Sequence, residues 1–334
     1  MASKSEMLCQ KKIDVADLPG PTPRVEAIKE RFIKTTPEIC VERAQLITES
    51  YQETEDLPIH IRRAKAFEKI LNGMTIFIAD DELVVGNQCT KPRSAPVYPE
   101  FSCKWLEAEL DRLEKRTGDV FLISEDKKKT LRELFPYWDK KTSNELATSL
   151  MTSDALAAQG AGVFTVGNYY FNGVGHISVD YAKVLANGLN GVIAEAKAEL
   201  AKLDIADPDG LKKMHFLNAV IISNEAVIAF AGRFAAEAEK LAASEKNDQR
   251  KAELQEIARI CRKVPAQPAA SFWEAIQSFW FIQLVLQLES NGHSISPMRF
   301  DQYMYPYLQM DTAITAEKAQ ELLDLLYIKF SEIN

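Results

Sequence analysis

FWEAIQSFWFIQLVLQLESNGHSISP, residues 272–297, runs from the most apolar stretch of the chain directly into a turn that carries a histidine. Its first part, Phe272 to Leu288, is interrupted by Glu274, Gln277, Gln283 and Gln287, and it falls short of the roughly 20 apolar residues that a membrane span requires. This predicts a helix buried in a core. Asn291-Gly292 is a turn signal, and Pro297 opposes resumption of the helix because it has no backbone N–H to donate. His293 and Ser294 therefore leave the core at a break. Polar groups emerging from a buried element must be paired or face a cavity, since each unsatisfied one costs about 1–3 kcal/mol. Two readings stand: a pocket, or a turn whose His and Ser cap neighbouring helices.

Outward from this stretch the periodicity is mostly helical. Past the proline-rich break at Pro19–Pro23, Val25, Ile28 and Phe32 recur at helix spacing. Helices are predicted over 39–51, 59–71, 100–115, 125–138, 143–151, 180–203, 211–243, 251–264 and 316–333. Two segments read as strands. MTIFIADDELVVG, from Met74, predicts two short strands about an acidic turn at Asp80-Asp81, and VFTVGN, from Val163, predicts a buried strand emptying into a loop. No internal repeat or low-complexity tract interrupts the chain. The first 23 residues read as a flexible arm without the apolar core of a signal peptide, and residues 24–334 as one body. The last helix is still in register at Ile333-Asn334, with no cap, so the chain reads as cut rather than finished.

Composition narrows the function classes. The 334 residues are 46% hydrophobic and 26% charged, the balance of a globular protein. A formal charge of −8 argues against nucleic acid, whose binding draws on clustered Lys and Arg. The five cysteines, Cys9, Cys40, Cys89, Cys103 and Cys261, are scattered and contain no C-x-x-C pair, so reduced thiols in the cytoplasm are expected rather than a disulfide framework or a zinc site.

A second histidine stands in GNYYFNGVGHISVDY, residues 167–181. Polar loops that follow a buried strand are common ligand-binding positions. Gly173 and Gly175 permit close approach, and an imidazole exchanges protons near neutral pH. His176 either does chemistry there or satisfies a local hydrogen bond while the glycines serve the turn. His176 and Asp180 are spaced to share a helix face as metal ligands, but no third ligand accompanies them and a catalytic zinc needs three. No metal is expected. His60 and His215 read as surface or packing residues, and there is no G-x-S-x-G nucleophile motif.

GNYYFNGVGHISVDY and ESNGHSISPMRFDQYMYPY closely resemble the corresponding segments of the cobalamin-independent glycerol and propane-1,2-diol dehydratases, glycyl radical enzymes of the pyruvate formate-lyase superfamily. ITESYQETE, RRAKAFEKILN, DDELVVGNQCTKPRSAPVYPEFSCKWLEAELDRLEKRTGD and FPYWDKKTSNELATSLM share the resemblance, which covers nearly the whole chain after Arg24. It implies an α/β fold, the helix-rich N-terminal half of a ten-stranded α/β barrel. The family's Gly-Cys-x-Glu and Arg-Val-x-Gly-Tyr loops do not occur in the sequence, so the chain by itself is expected to be inactive.

The resemblance also implies a reaction, removal of water from a small polyol to give an aldehyde. His176 would hydrogen-bond the leaving hydroxyl and protonate it, a task matched to histidine. His293 and Ser294 would fix the diol, with Asn168 among the substrate-binding residues. The joint presence of NGHS and GVGH favours a dehydratase over pyruvate formate-lyase itself. No cofactor is expected to bind directly. The glycyl radical would sit on a glycine outside this sequence, installed by an activating enzyme that uses S-adenosylmethionine and an iron–sulfur cluster, and a homodimer is the implied assembly. The alternatives are a related glycyl radical lyase of formate C-acetyltransferase type, and a catalytically silent helical interaction subunit.

Overall fold

The computed structural model describes residues 20–165, 168–291 and 294–333. The expected arm, residues 1–23, lies almost wholly outside them. Helix α1 opens at Pro23, a position where the missing N–H costs nothing, and the Thr22 hydroxyl accepts from Val25 N. After α1 (Pro23–Lys34) come β1 (Glu38–Cys40), α2 (Glu42–Glu53), α3 (Ile59–Gly73), β2 (Ser94–Pro96), α4 (Lys104–Glu109), α5 (Glu125–Trp138), α6 (Ser143–Ser149) and α7 (Ser153–Gly160). These are followed by α8 (Asn168–Asn172), α9 (Tyr181–Leu200), α10 (Pro208–Ser244), α11 (Asp248–Lys263), α12 (Phe272–Ser290), α13 (Phe300–Met310) and α14 (Ala316–Glu332). Strands β1 and β2 form a parallel pair, with Ile39 opposite Ala95.

Helix α12 is the axis of the core. Nearly all of its side chains are buried, including Phe279, Trp280, Phe281 and Leu284. The polar interruptions legible in its sequence are internal partners: Glu274 pairs with Lys263 at 2.6 Å and Arg259 at 2.8 Å. Helix α10 is long and apolar enough to cross a membrane by length and composition. It packs against α3, α9 and α11 and buries one stripe, including Phe230, Phe234, Ala235 and Ala238, while most of its apolar window is not fully buried.

Four local expectations fail. The segment from Met74 forms no strand pair. Leu83, Val84 and Val85 are fully buried, but α12 side chains hold both backbone groups of Val85 and the carbonyl of Leu83. Gln277 Oε1 accepts from Val85 N at 2.9 Å while Gln277 Nε2 donates to Val85 O at 2.8 Å, and Trp273 Nε1 donates to Leu83 O at 3.0 Å. A ladder is unnecessary where side chains complete the backbone hydrogen bonds. The described part of the stretch from Val163 does not form the expected buried strand: residues 163–165 are irregular and Val163 is 75% exposed, while residues 166 and 167 lie outside the described residues. The helix expected over 100–115 breaks into α4 and a 3₁₀ turn at Leu113–Lys115, and β1 occupies the first residues of the helix expected from Ile39.

Candidate functional site

Two loops carry the histidines, and tertiary structure brings them side by side. One runs from the end of α8 through Gly173 to Asp180, whose carboxylate accepts from Lys183 N at 3.0 Å and so starts α9. The other begins where Asn291, in the left-handed conformation, ends α12. Ser296 N donates to Ile177 O at 3.2 Å within a parallel bridge between Ser178 and Ser296. Ser290 Oγ donates to Val174 O at 3.3 Å, and the Ser178 hydroxyl approaches Met298 Sδ at 3.0 Å. Gly173 sits so close that a Cβ there would lie 2.3 Å from Ser290 O and 2.6 Å from the Phe101 ring.

The backbone of both loops is strained. His176, Asn291, Ser294 and Met298 all have positive φ, at 53°, 44°, 59° and 55°. Such values are uncommon outside glycine and persist only where surroundings enforce them, as at ligand sites. Of the residues predicted for the site, the structure gives His176 and Ser294 on adjacent, mutually bonded loops. Both are exposed. His293 lies outside the described residues, as does the side chain of Asn168, whose backbone begins α8.

A cleft of about 450 Å³ opens at the second loop, lined by Ser294, Ile295, Gln287, Phe300, Phe330 and Ile333 among others. Its lining is mostly apolar, and His176 is not in its wall. The Gln287 side chain is buried at its edge with Oε1 lacking a hydrogen-bond partner, and Gln283 anchors the rim by donating to Ile295 O at 3.2 Å. Among the described residues no group of three His, Cys, Asp or Glu is placed to hold a metal ion.

Behind the second loop lies a buried ionic cluster that sequence periodicity did not disclose. Arg43, 2% exposed, forks onto Glu100 at 2.6 and 3.1 Å and stacks over Tyr98. Its remaining donors reach the end of α12, Leu288 O at 2.7 Å and Glu289 O at 3.1 Å. Tyr98 Oη donates to Gln287 O at 2.6 Å. Arg63 holds the Glu289 carboxylate at 2.5 Å and also donates to Glu289 O. Burial alone would raise the Glu100 carboxyl, but the Arg43 and Arg63 guanidiniums more than offset it and hold it below its ordinary value. Burial pushes the Tyr98 hydroxyl up, so it remains a donor. An arginine within a helical pattern reads as a solvated residue, and nothing in its spacing shows that it caps a distant helix.

A helical body in which a core helix and an adjacent glycine-flanked loop jointly present strained polar residues matches one family over almost the whole chain. The pyruvate formate lyase-like family model covers residues 18–334, and the chain belongs to this family of glycyl radical enzymes. It is 38% identical over 320 residues to (2S)-3-sulfopropanediol dehydratase of Klebsiella oxytoca, covering 93% of this chain and 39% of the relative. The glycerol-bound B12-independent glycerol dehydratase of Clostridium butyricum superposes with a TM-score of 0.94 at 52% identity, over 96% of this chain and 41% of that one. A structure concerned with 1,2-propanediol dehydration in Roseburia inulinivorans gives a TM-score of 0.93 at 48% identity, over 94% and 38%. The chain thus spans about two-fifths of the length of these proteins and corresponds to the N-terminal part of a barrel enzyme.

Proposed function

We propose that the chain is part of a glycyl radical dehydratase that removes water from a small uncharged vicinal diol, glycerol or propane-1,2-diol. The observation that carries this reading is the mutual bonding of the strained His176 and Ser294 loops beside an apolar cleft. A polyol needs converging donors and acceptors within a dry enclosure. The identity to a glycerol-bound dehydratase supports the same substrate class.

In this reading His176 protonates the departing hydroxyl, because loss of hydroxide is unfavourable at neutral pH without an acid. His293, Ser294 and Asn168 hold the diol oxygens in one orientation. Hydrogen abstraction would fall to a thiyl radical on a cysteine outside these residues, formed from a glycyl radical that an activating enzyme with S-adenosylmethionine and an iron–sulfur cluster installs. The setting is an anaerobic cytoplasm, and the assembly a homodimer. The test is aldehyde formation by the activated full-length enzyme from glycerol, propane-1,2-diol and 3-sulfopropanediol. Turnover of one of the first two is expected, with His176→Ala lowering it about 10²–10⁴-fold. Turnover of neither overturns the proposal.

A further inference from the structure

We infer that Arg63, acting with Arg43 and Glu100, is the positioning device of the diol site, fixing the end of α12 so that both histidine loops are held in register. The inference rests on the diol reading for its substrate, but its geometry is independent of it. The last carbonyls of a helix have no partner within the helix and carry partial negative charge. Here those of Leu288 and Glu289 are taken by Arg43 and Arg63, and that of Gln287, which also accepts from Asn291 N, by Tyr98, all from earlier in the chain. Charge-assisted, forked hydrogen bonds fix direction as well as distance.

The clamp reaches both loops. Glu289 precedes Ser290, whose hydroxyl donates to Val174 O at 3.3 Å in the His176 loop. Arg63 also lies over the Phe101 ring, 5.4 Å from its centroid, and that ring backs Gly173. Glu100 joins the two arginines, accepting from Arg43 at 2.6 Å and Arg63 at 3.4 Å. The strained left-handed turns at Asn291 and Ser294 follow within five residues of Glu289. A helix end free to fray would relax them.

Arg63 is the residue to change, because its side chain is 26% exposed and its loss leaves Arg43 to neutralise Glu100. In the unactivated full-length enzyme, affinity for glycerol and propane-1,2-diol is measured by calorimetry. Hydrogen exchange is followed in residues 172–179 and 287–297, with residues 272–286 as the internal control. Arg63→Met is expected to weaken diol binding about tenfold, the value of one charged hydrogen bond, and to speed exchange in both loops while the control stays protected. Arg63→Lys keeps the charge but not the fork, and should recover only part of the loss. If Arg63→Met unfolds the control segment, Glu289→Gln decides, with an expected loss of about threefold. Unchanged affinity and unchanged loop exchange in the folded variant overturn the inference. Wild-type enzyme that binds neither diol defeats the substrate reading, while loop exchange in the variants still tests the clamp.

Discussion

Helix α12 and the pair α6–α7 are both built from apolar and small polar residues, yet they end in opposite situations. Helix α12 has almost no exposed side chain, and the carbonyls of Gln287, Leu288 and Glu289 near its end are held by Tyr98, Arg43 and Arg63. Helices α6 and α7 bury no residue at all, and Leu150 between them is 79% exposed. Both regions lead to a histidine loop. The Ser294 loop is fixed by the element behind it, whereas the His176 loop, approached from α6–α8, is fixed by its bonds to the other loop and by Phe101. Precision at one of the two loops is therefore borrowed from the other.

The largest expected effect comes from Arg43→Met. It leaves Glu100 without its principal partner and strips Leu288 O of a donor, so it should cost about 3–5 kcal/mol. Denaturant unfolding of the variant measures this, and a loss under 1 kcal/mol would place the firmness of α12 in its apolar surface alone.

Gly173→Ala asks whether the borrowed loop depends on its contact. The substitution meets Ser290 O at 2.3 Å with φ at +79°, and should cost at least about 2 kcal/mol while raising exchange at residues 174–178. Unchanged stability would show that the two loops can part without penalty.

Acid should weaken the clamp specifically. The folded carboxyl of Glu100 titrates below its ordinary 4.5. Its contribution is therefore complete above that value and is lost as pH falls through the folded pKa. The stability gap between wild type and Glu100→Gln should be widest near pH 7 and shrink as pH falls below the ordinary carboxylate value and through the lower folded pKa. A gap independent of pH would remove the ionised form from the account. The smallest effect belongs to the exposed pair: Leu150→Ser should alter the unfolding free energy by no more than about 0.5 kcal/mol. A larger loss would mean that α6–α7 packs on the core in solution.

The buried character of α12 is legible in its residues, because apolar side chains fill every face of it, and so is its stop at Asn291, because the turn signal is local. The sequence also marked both histidine loops, since glycine, proline and asparagine announce breaks over a few residues, and long motifs carried the family. Only the tertiary structure decided the rest. Val163 begins a β-branched run yet is exposed and irregular, whereas Leu83–Val85 are buried as strand residues would be and are held by Gln277 and Trp273 at Val85 and at Leu83 O. Arg43 and Arg63 read as ordinary helix-surface residues until the fold sets them against carbonyls more than 220 positions away. Local patterns report what a residue does to its own turn of backbone. Which distant carbonyl completes a guanidinium depends on how the helices are stacked, and that stacking is a property of the whole core.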